Sequence, residues 1–183
     1  MSGLEITPVD ELDEIRAAVH RAIATGRRAD FFRSMGVVDP DSGLPGPFNA
    51  MVRAPAVGMP LHRLGEALRY GGTLPPLVRE VVILCVATAR RSPFEWRAHL
   101  DLATKHGADE AMIDALRHGE TPADPAVADA VTIARALLER TPVSDALLGR
   151  VLASYGEEGA VELVVLVGYY DLLATLMRTF AVE

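Results

Sequence analysis

The chain has 183 residues, of which 50% are hydrophobic and only 5% aromatic, and its formal net charge at pH 7 is −7. A chain of this length can bury one substantial core, and a core made mainly of small and aliphatic side chains favours close helix packing over a β-sandwich. The negative charge argues against a nucleic-acid partner, which would need a clustered basic face.

The cellular location can be predicted from cysteine content and hydropathy. One cysteine, Cys85, excludes an intramolecular disulfide, so nothing in the sequence indicates an oxidising compartment. Residues 1–14 lack the basic segment and the apolar stretch of a signal peptide. The longest strictly apolar runs, 81–87 and 163–167, are much shorter than the roughly 20 residues that a membrane span requires. We therefore expect a cytoplasmic protein without membrane contact.

In the N-terminal part, the sequence predicts two short helices and a loop. Asp10 is placed to cap a helix that ends at Thr25, just before a glycine. Residues 27–35 predict a second short helix. The following stretch, 37–47, is rich in glycine and proline and predicts a loop.

Seven further helices are predicted in the rest of the chain. Proline falls at several of their starts, where a missing N–H is harmless, and glycine falls just after several of their ends. They cover residues 55–70, 76–90, 93–106, 109–118, 125–139, 144–155 and 157–180. No alternating strand pattern competes with them. The prediction is an all-α protein with a single domain, 1–183, made of a helical extension (1–36) and a core (48–183).

Two of these helices, 76–90 and 157–180, are apolar nearly all round. Such helices are buried within their own chain or covered by another one. Because a chain of this size has little room to wrap both, we expect self-association. The alternative is that both lie centrally in one bundle.

Glu80 lies in the middle of the first of these apolar helices. An unpaired carboxylate in apolar surroundings costs several kcal/mol, so it must be protonated, paired or hydrogen-bonded. A structural interpretation is a salt bridge to Arg79 or to another helix. A functional interpretation is an acid–base group, because burial moves carboxyl groups toward neutral pH.

Glu95 and His99 are four residues apart and therefore share one face of the next predicted helix. Glu95 falls in the first turn, where the helix dipole favours a carboxylate that can orient the imidazole. Trp96 can form a wall of the same pocket. The alternative is an ordinary surface pair, with Trp96 as a core anchor.

The other histidines do not extend this arrangement. His106 lies about 10 Å further along the helix axis than His99, too far to share a metal ion. Glu95 and His99 could supply two ligands but the sequence offers no third, so we predict neither a metal nor a cofactor. We expect His20, His62 and His118 to be solvated.

Several short motifs occur along the chain: Gly46-Pro47-Phe48-Asn49, Leu74-Pro75, Arg79-Glu80, Phe94-Glu95-Trp96-Arg97-Ala98-His99, Ala103, Gly107 and Gly168-Tyr169-Tyr170. Taken together, these motifs resemble the carboxymuconolactone decarboxylase and alkylhydroperoxidase D superfamily. The resemblance covers about three-quarters of the chain. It implies an all-α fold, centred on the helices 76–90 and 93–106, that assembles as trimers or hexamers.

The chain departs from the peroxidase branch of that superfamily at two positions. Where that branch has glutamate, two cysteines and histidine, this sequence has Glu80, Ser92, Glu95 and His99. Peroxide reduction of that type needs a thiolate and a resolving thiol, which serine and glutamate cannot replace. Cys85 lies inside an apolar helix and is expected to be an inert packing residue. Peroxidase activity is therefore disfavoured.

The decarboxylase branch implies acid–base chemistry on a small carboxylated lactone. We predict a lyase-like enzyme in which His99 is the general acid–base, Glu95 orients it and Glu80 relays the proton. Substrate contacts are assigned to Phe48, Asn49, Trp96, Arg79 and Arg97, although either arginine could equally be a surface residue. The alternative is a non-catalytic protein that uses the same pocket to bind a small molecule.

Overall fold

The computed structural model describes residues 3–26 and 43–181. These two ranges contain eight α-helices and one short 3-10 helix, Val9–Glu11, and no strand. The helices are α1 (Glu14–Ala24), α2 (Pro47–Arg53), α3 (Pro55–Tyr70), α4 (Pro76–Arg90), α5 (Pro93–Lys105), α6 (Glu110–Arg117), α7 (Pro125–Glu139) and α8 (Asp145–Phe180). The predicted all-α fold is confirmed.

Most helix starts lie where the local sequence places them. Proline occupies the first position of α4, α5 and α7, as predicted. Side-chain caps are present at three starts: Ser92, Asp109 and Asp124 each accept a hydrogen bond from a backbone N–H of the following turn. Each cap satisfies an N–H that has no partner inside its own helix.

The N-terminal prediction needs two corrections. Helix α1 is capped by Asp13, which accepts from Arg16 N at 2.8 Å, whereas Asp10 lies in the 3-10 helix. Residues 47–53 form α2, although Pro47 had been placed in the loop. The predicted helix over 27–35 and most of the predicted loop lie outside the described residues.

Helix α8 is one span that bends at Gly156, between the two predicted helices. Gly156 has φ 71° and ψ 178°, a conformation that residues with a Cβ rarely adopt. Among the described residues, α8 alone is long and apolar enough to cross a membrane by length and composition. Half of the residues in its most apolar 18-residue stretch are buried. Because the core helix of a soluble protein can be equally long and apolar, the composition of α8 is only weak support for a membrane span.

The described helices form two compact units. The first comprises the described residues within Met1–Gly71 and Leu176–Glu183. In it α1, α2 and α3 pack pairwise, and Leu4 N donates to Phe180 O at 2.9 Å. A Cβ added at Gly58 would collide with the backbone of Met51, so glycine permits the close contact of α2 and α3.

The second unit, Gly72–Thr175, is organised around α4. Helix α4 packs mainly against α5 and α7 and also contacts α6. Its central residues, Glu80 to Ala87, are all buried, which confirms the prediction for this helix. Helix α8 is joined to it by a salt bridge in which Arg90 Nε lies 2.5 Å from Asp171 Oδ1.

Candidate functional site

The candidate site lies where α4 and α5 pack together in the second unit. The chain leaves α4 through Arg91, which adopts a left-handed conformation (φ 54°, ψ 48°), and Ser92 then caps α5. Ser92 Oγ accepts a hydrogen bond from Glu95 N at 3.5 Å. This short connection brings the two helices side by side, so that Glu80 and His99 come into contact.

Glu80, His99 and Glu95 form a row in which the imidazole lies between two carboxylates. The distance from Glu80 Oε2 to His99 Nδ1 is 2.6 Å, a short hydrogen bond. On the other side of the ring, His99 Nε2 lies 3.4 Å from Glu95 Oε2, a looser contact. The structural interpretation that Glu80 pairs with a residue of another helix is therefore confirmed.

All three side chains of this row are buried. Glu80 and His99 are each 1% exposed and Glu95 is 4% exposed. In such surroundings an imidazolium can donate to both carboxylates, whereas a neutral imidazole can donate to only one. The arrangement can therefore hold a proton on the ring and release it toward either carboxylate.

Arg79 joins the row through Glu80. Its Nε donates to Glu80 Oε1 at 3.2 Å, and its side chain is 12% exposed. The guanidinium of Arg79 lies beside a buried carboxylate, and an adjacent opposite charge lowers the cost of burying such a group. Arg79, to which the sequence analysis assigned a substrate contact, is thus already bound to a carboxylate of the protein.

Tyr170 on α8 is a member of this cluster that sequence reasoning did not assign to the site. Its ring packs edge-on against the imidazole of His99, with centroids 5.2 Å apart and an interplanar angle of 89°. Tyr169 in turn packs edge-on against Tyr170. Two adjacent tyrosines in an otherwise apolar helix were the available signal, because a buried tyrosine usually needs a polar partner.

Two of the predicted substrate residues lie around a different cavity. Trp96 and Arg97 line an open pocket of about 410 Å³, together with Arg91 and Arg117. The row Glu80–His99–Glu95 does not line it. Trp96 is nevertheless next to Glu95 in α5, so the two places share a helix.

Phe48 and Asn49, the other predicted substrate residues, are located in the first unit. Both are buried, each 3% exposed. Asn49 Nδ2 donates to the carbonyl oxygens of Leu4 (3.3 Å) and Glu5 (3.1 Å), so this amide holds the N-terminal segment against α2. Their assignment to a substrate stays a prediction.

Cys85 is buried, as expected for a packing residue. Burial raises the pKa of its thiol from 9.0 to about 11, an effect that nearby Arg135 partly offsets and Glu139 reinforces. At neutral pH the group is therefore a thiol rather than the thiolate that attacks peroxides. This finding supports the sequence argument against a peroxidase reaction at Cys85.

The burial of two other histidines contradicts the prediction that they are solvated. His20 and His62 are buried, 6% and 2% exposed, rather than solvated, and His62 Nε2 lies 3.5 Å from Glu66 Oε2. His118 is exposed, as predicted. Across residues 3–26 and 43–181, no group of three or more His, Cys, Asp or Glu side chains has the arrangement of a metal site.

Comparison with known proteins agrees with the motifs around this site. The model of the carboxymuconolactone decarboxylase family matches residues 55–136, a range that contains Glu80, Glu95 and His99. It is narrower than the resemblance seen in the sequence, since 46–49 and 168–170 lie outside it. A search of curated proteins finds no match to the chain. The recognition made from the sequence is confirmed: this chain carries a carboxymuconolactone decarboxylase family domain over residues 55–136.

Proposed function

We propose that this protein is a cofactor-free, cytoplasmic acid–base enzyme that decarboxylates or isomerises a small carboxylated lactone or a related carbon acid. The observation that carries the proposal is the buried imidazole of His99, held between two carboxylates. The match of residues 55–136 to the carboxymuconolactone decarboxylase family model supports the reaction class. Positioned acid–base groups of this kind typically contribute rate factors of about 10²–10⁴.

The two contact distances suggest different roles for the two carboxylates. The 2.6 Å bond from Nδ1 to Glu80 fixes the ring and its tautomer, which is the role of an orienting group. The 3.4 Å separation between Nε2 and Glu95 is loose enough for this nitrogen to exchange a proton. We therefore assign orientation to Glu80 and proton exchange to His99 with Glu95, which reverses the roles that sequence analysis gave to the two acids.

Both reactions can proceed without an oxidant or a reductant. In isomerisation, His99 and Glu95 remove a proton from carbon, the electron pair moves onto the neighbouring carbonyl as an enolate, and the proton returns to a different carbon. In decarboxylation, the bond to the carboxylate carbon breaks and CO₂ leaves. The electron pair again forms an enolate, and the imidazolium delivers a proton to carbon.

A panel of lactones and unsaturated carboxylic acids, assayed with wild type and His99→Gln, tests this proposal. We expect turnover of at least one compound by wild type and a loss of about 10²-fold or more in the variant. His118→Gln is the matched control, because His118 is exposed and contacts Asp114 rather than a member of the row. Equal turnover by wild type and His99→Gln would remove His99 from the mechanism. Thermal shifts with a compound that is never turned over would favour the binding-protein alternative.

We also propose that the protein self-associates as a trimer or hexamer. An apolar stripe of exposed residues on α8 supports this: Val161 (63%), Val164 (49%), Val165 (37%) and Leu172 (46%). Exposed apolar rows of this kind commonly mark protein interfaces. Val165→Asp should reduce the mass measured by light scattering, whereas Val57→Asp, at an exposed valine on α3, should not. A monomeric wild type would refute this part of the proposal.

A further inference from the structure

An open pocket at the end of α4 and the start of α5 has an unusual set of lining residues. It has a volume of about 410 Å³, within the range of small-molecule sites. Three arginines and the only tryptophan of the chain line it: Arg91, Arg97, Arg117 and Trp96. Its other lining residues, which include Ser92 and Pro93, are uncharged.

The charge of this pocket is opposite to that of the chain as a whole. No carboxylate lines it, although the chain has a net charge of −7. In the part of the chain that the structure describes, neither Arg91 nor Arg97 forms a salt bridge. Arg117 lies 3.7 Å from Asp114, but both side chains are more than half exposed, so this pair contributes little. Two or three guanidinium groups are thus available to an anion.

Trp96 gives the pocket a flat apolar wall. Its indole is partly buried, and the guanidinium carbon of Arg117 lies 5.8 Å from the ring centroid. At this distance the guanidinium is held by a cation–π contact. A planar ligand could stack on the indole while its anionic group meets the arginines.

Arg91 has a backbone conformation that is unfavourable for an arginine. Its φ of 54° lies in the left-handed region, where glycine is the usual residue at a helix end. The backbone strain at a residue with a Cβ costs about 1 kcal/mol. An arginine at this point therefore lowers stability and adds a cation to the pocket.

We propose that this pocket binds a small anion with a planar apolar body, as in an aromatic carboxylate. The guanidinium groups of Arg91, Arg97 and Arg117 bind the anionic group, and Trp96 stacks against the planar part. The site is distinct from the row Glu80–His99–Glu95, none of whose members lines the pocket. The two are adjacent through Ser92, which lines the pocket and caps the turn that contains Glu95.

Binding of phthalate to the full-length protein tests this inference directly. Because Trp96 is the only tryptophan, its fluorescence reports on the pocket, and calorimetry gives an independent affinity. We expect saturable binding that weakens as salt is raised. Benzylamine, which has the ring but the opposite charge, should not bind, and inorganic phosphate should bind more weakly than phthalate. Phosphate binding as tight as that of phthalate would overturn the requirement for a planar body.

Variants of the lining arginines locate the binding. Arg97→Gln and Arg117→Gln should each weaken phthalate binding about tenfold, the effect of one lost charge-assisted contact. Arg91→Gly should also weaken it. Its matched control is Arg140→Gly, since Arg140 likewise has a left-handed conformation at a helix end but lies outside the pocket.

Two further results separate this site from the proposed enzyme. The His99→Gln variant should bind phthalate as tightly as wild type does, although this substitution is expected to abolish turnover. The inference is overturned if wild type does not bind phthalate, if all three pocket variants bind it normally, or if Arg140→Gly weakens binding as much as Arg91→Gly.

Discussion

Glu80 on α4 and His99 on α5 make a 2.6 Å contact between Oε2 and Nδ1, in a place where both residues are 1% exposed. This contact couples the two helices at the centre of the family domain. It also determines which ring nitrogen remains for chemistry, because Nδ1 is engaged and Nε2 faces Glu95. Stability and activity should therefore respond differently to changes in the two carboxylates.

Glu80→Ala is expected to be strongly destabilising. It removes a buried acceptor from both His99 and Arg79, and breaking a buried charged pair costs about 3–5 kcal/mol. Glu80→Gln keeps an acceptor oxygen and should lose less than half as much free energy. Urea unfolding of the two variants measures the difference. Wild-type stability of Glu80→Ala would show that this pair does not support the fold.

Glu95→Gln should lower activity much more than stability. Its contact with His99 is loose, so we expect a change in unfolding free energy below about 1 kcal/mol. If Glu95 exchanges the proton, kcat on the substrate found by screening should fall about 10²-fold with little change in KM. Unfolding curves and steady-state kinetics on the same preparation test both parts. A large loss of stability with unchanged kcat would contradict the assignment.

Cys85 should make stability depend on pH in the alkaline range. Because burial raises its pKa from 9.0 to about 11, the folded protein keeps the thiol proton after the unfolded chain has lost it. Stability should therefore fall as pH rises from about 9 to about 11, by about 2–3 kcal/mol in total. Urea unfolding across this range measures the slope. Cys85→Ala lacks the titrating group and should show a shallower slope; identical slopes would refute the shifted pKa.

Glu162 on α8 should stabilise the turn that precedes α4. Its carboxylate accepts hydrogen bonds from Thr73 N (2.8 and 2.9 Å) and Leu74 N (3.0 Å). Glu162→Gln keeps one acceptor oxygen but loses the charge, so we expect a loss of about 1–2 kcal/mol. Glu157→Gln, an exposed glutamate on the same helix, is the control. Equal unfolding midpoints for both variants would contradict this role.

Glycine should stabilise the protein at each of the two arginines that have a left-handed backbone conformation. Arg91 has φ 54° and Arg140 has φ 58°. Arg91→Gly and Arg140→Gly should each raise the unfolding free energy by about 0.5–1 kcal/mol, because glycine has no Cβ to strain this conformation. Thermal unfolding measures the gain. A loss of stability in both variants would mean that their side chains contribute more than the strain costs.

Local chemistry explains why so much of the fold could be predicted from the sequence. Helices α4, α5 and α7 begin at proline and, for α5 and α7, behind a side-chain cap, because these features act within one helical turn. The pairing of Glu95 with His99 was predictable for the same reason, since residues four apart lie on one face. The cap of α1 was misplaced because Asp10 and Asp13 both offer suitable oxygens within the same short segment.

The sequence by itself determined most of the helices, the burial of Glu80 and the shared face of Glu95 and His99. Only the tertiary structure decided that Glu80 contacts Nδ1, that Tyr170 packs on the imidazole, and that Trp96 and Arg97 line a separate cationic pocket. The physical reason is that helical spacing fixes which side chains share a face of their own helix. It does not specify which other helix that face meets, because that depends on packing between residues far apart in the chain.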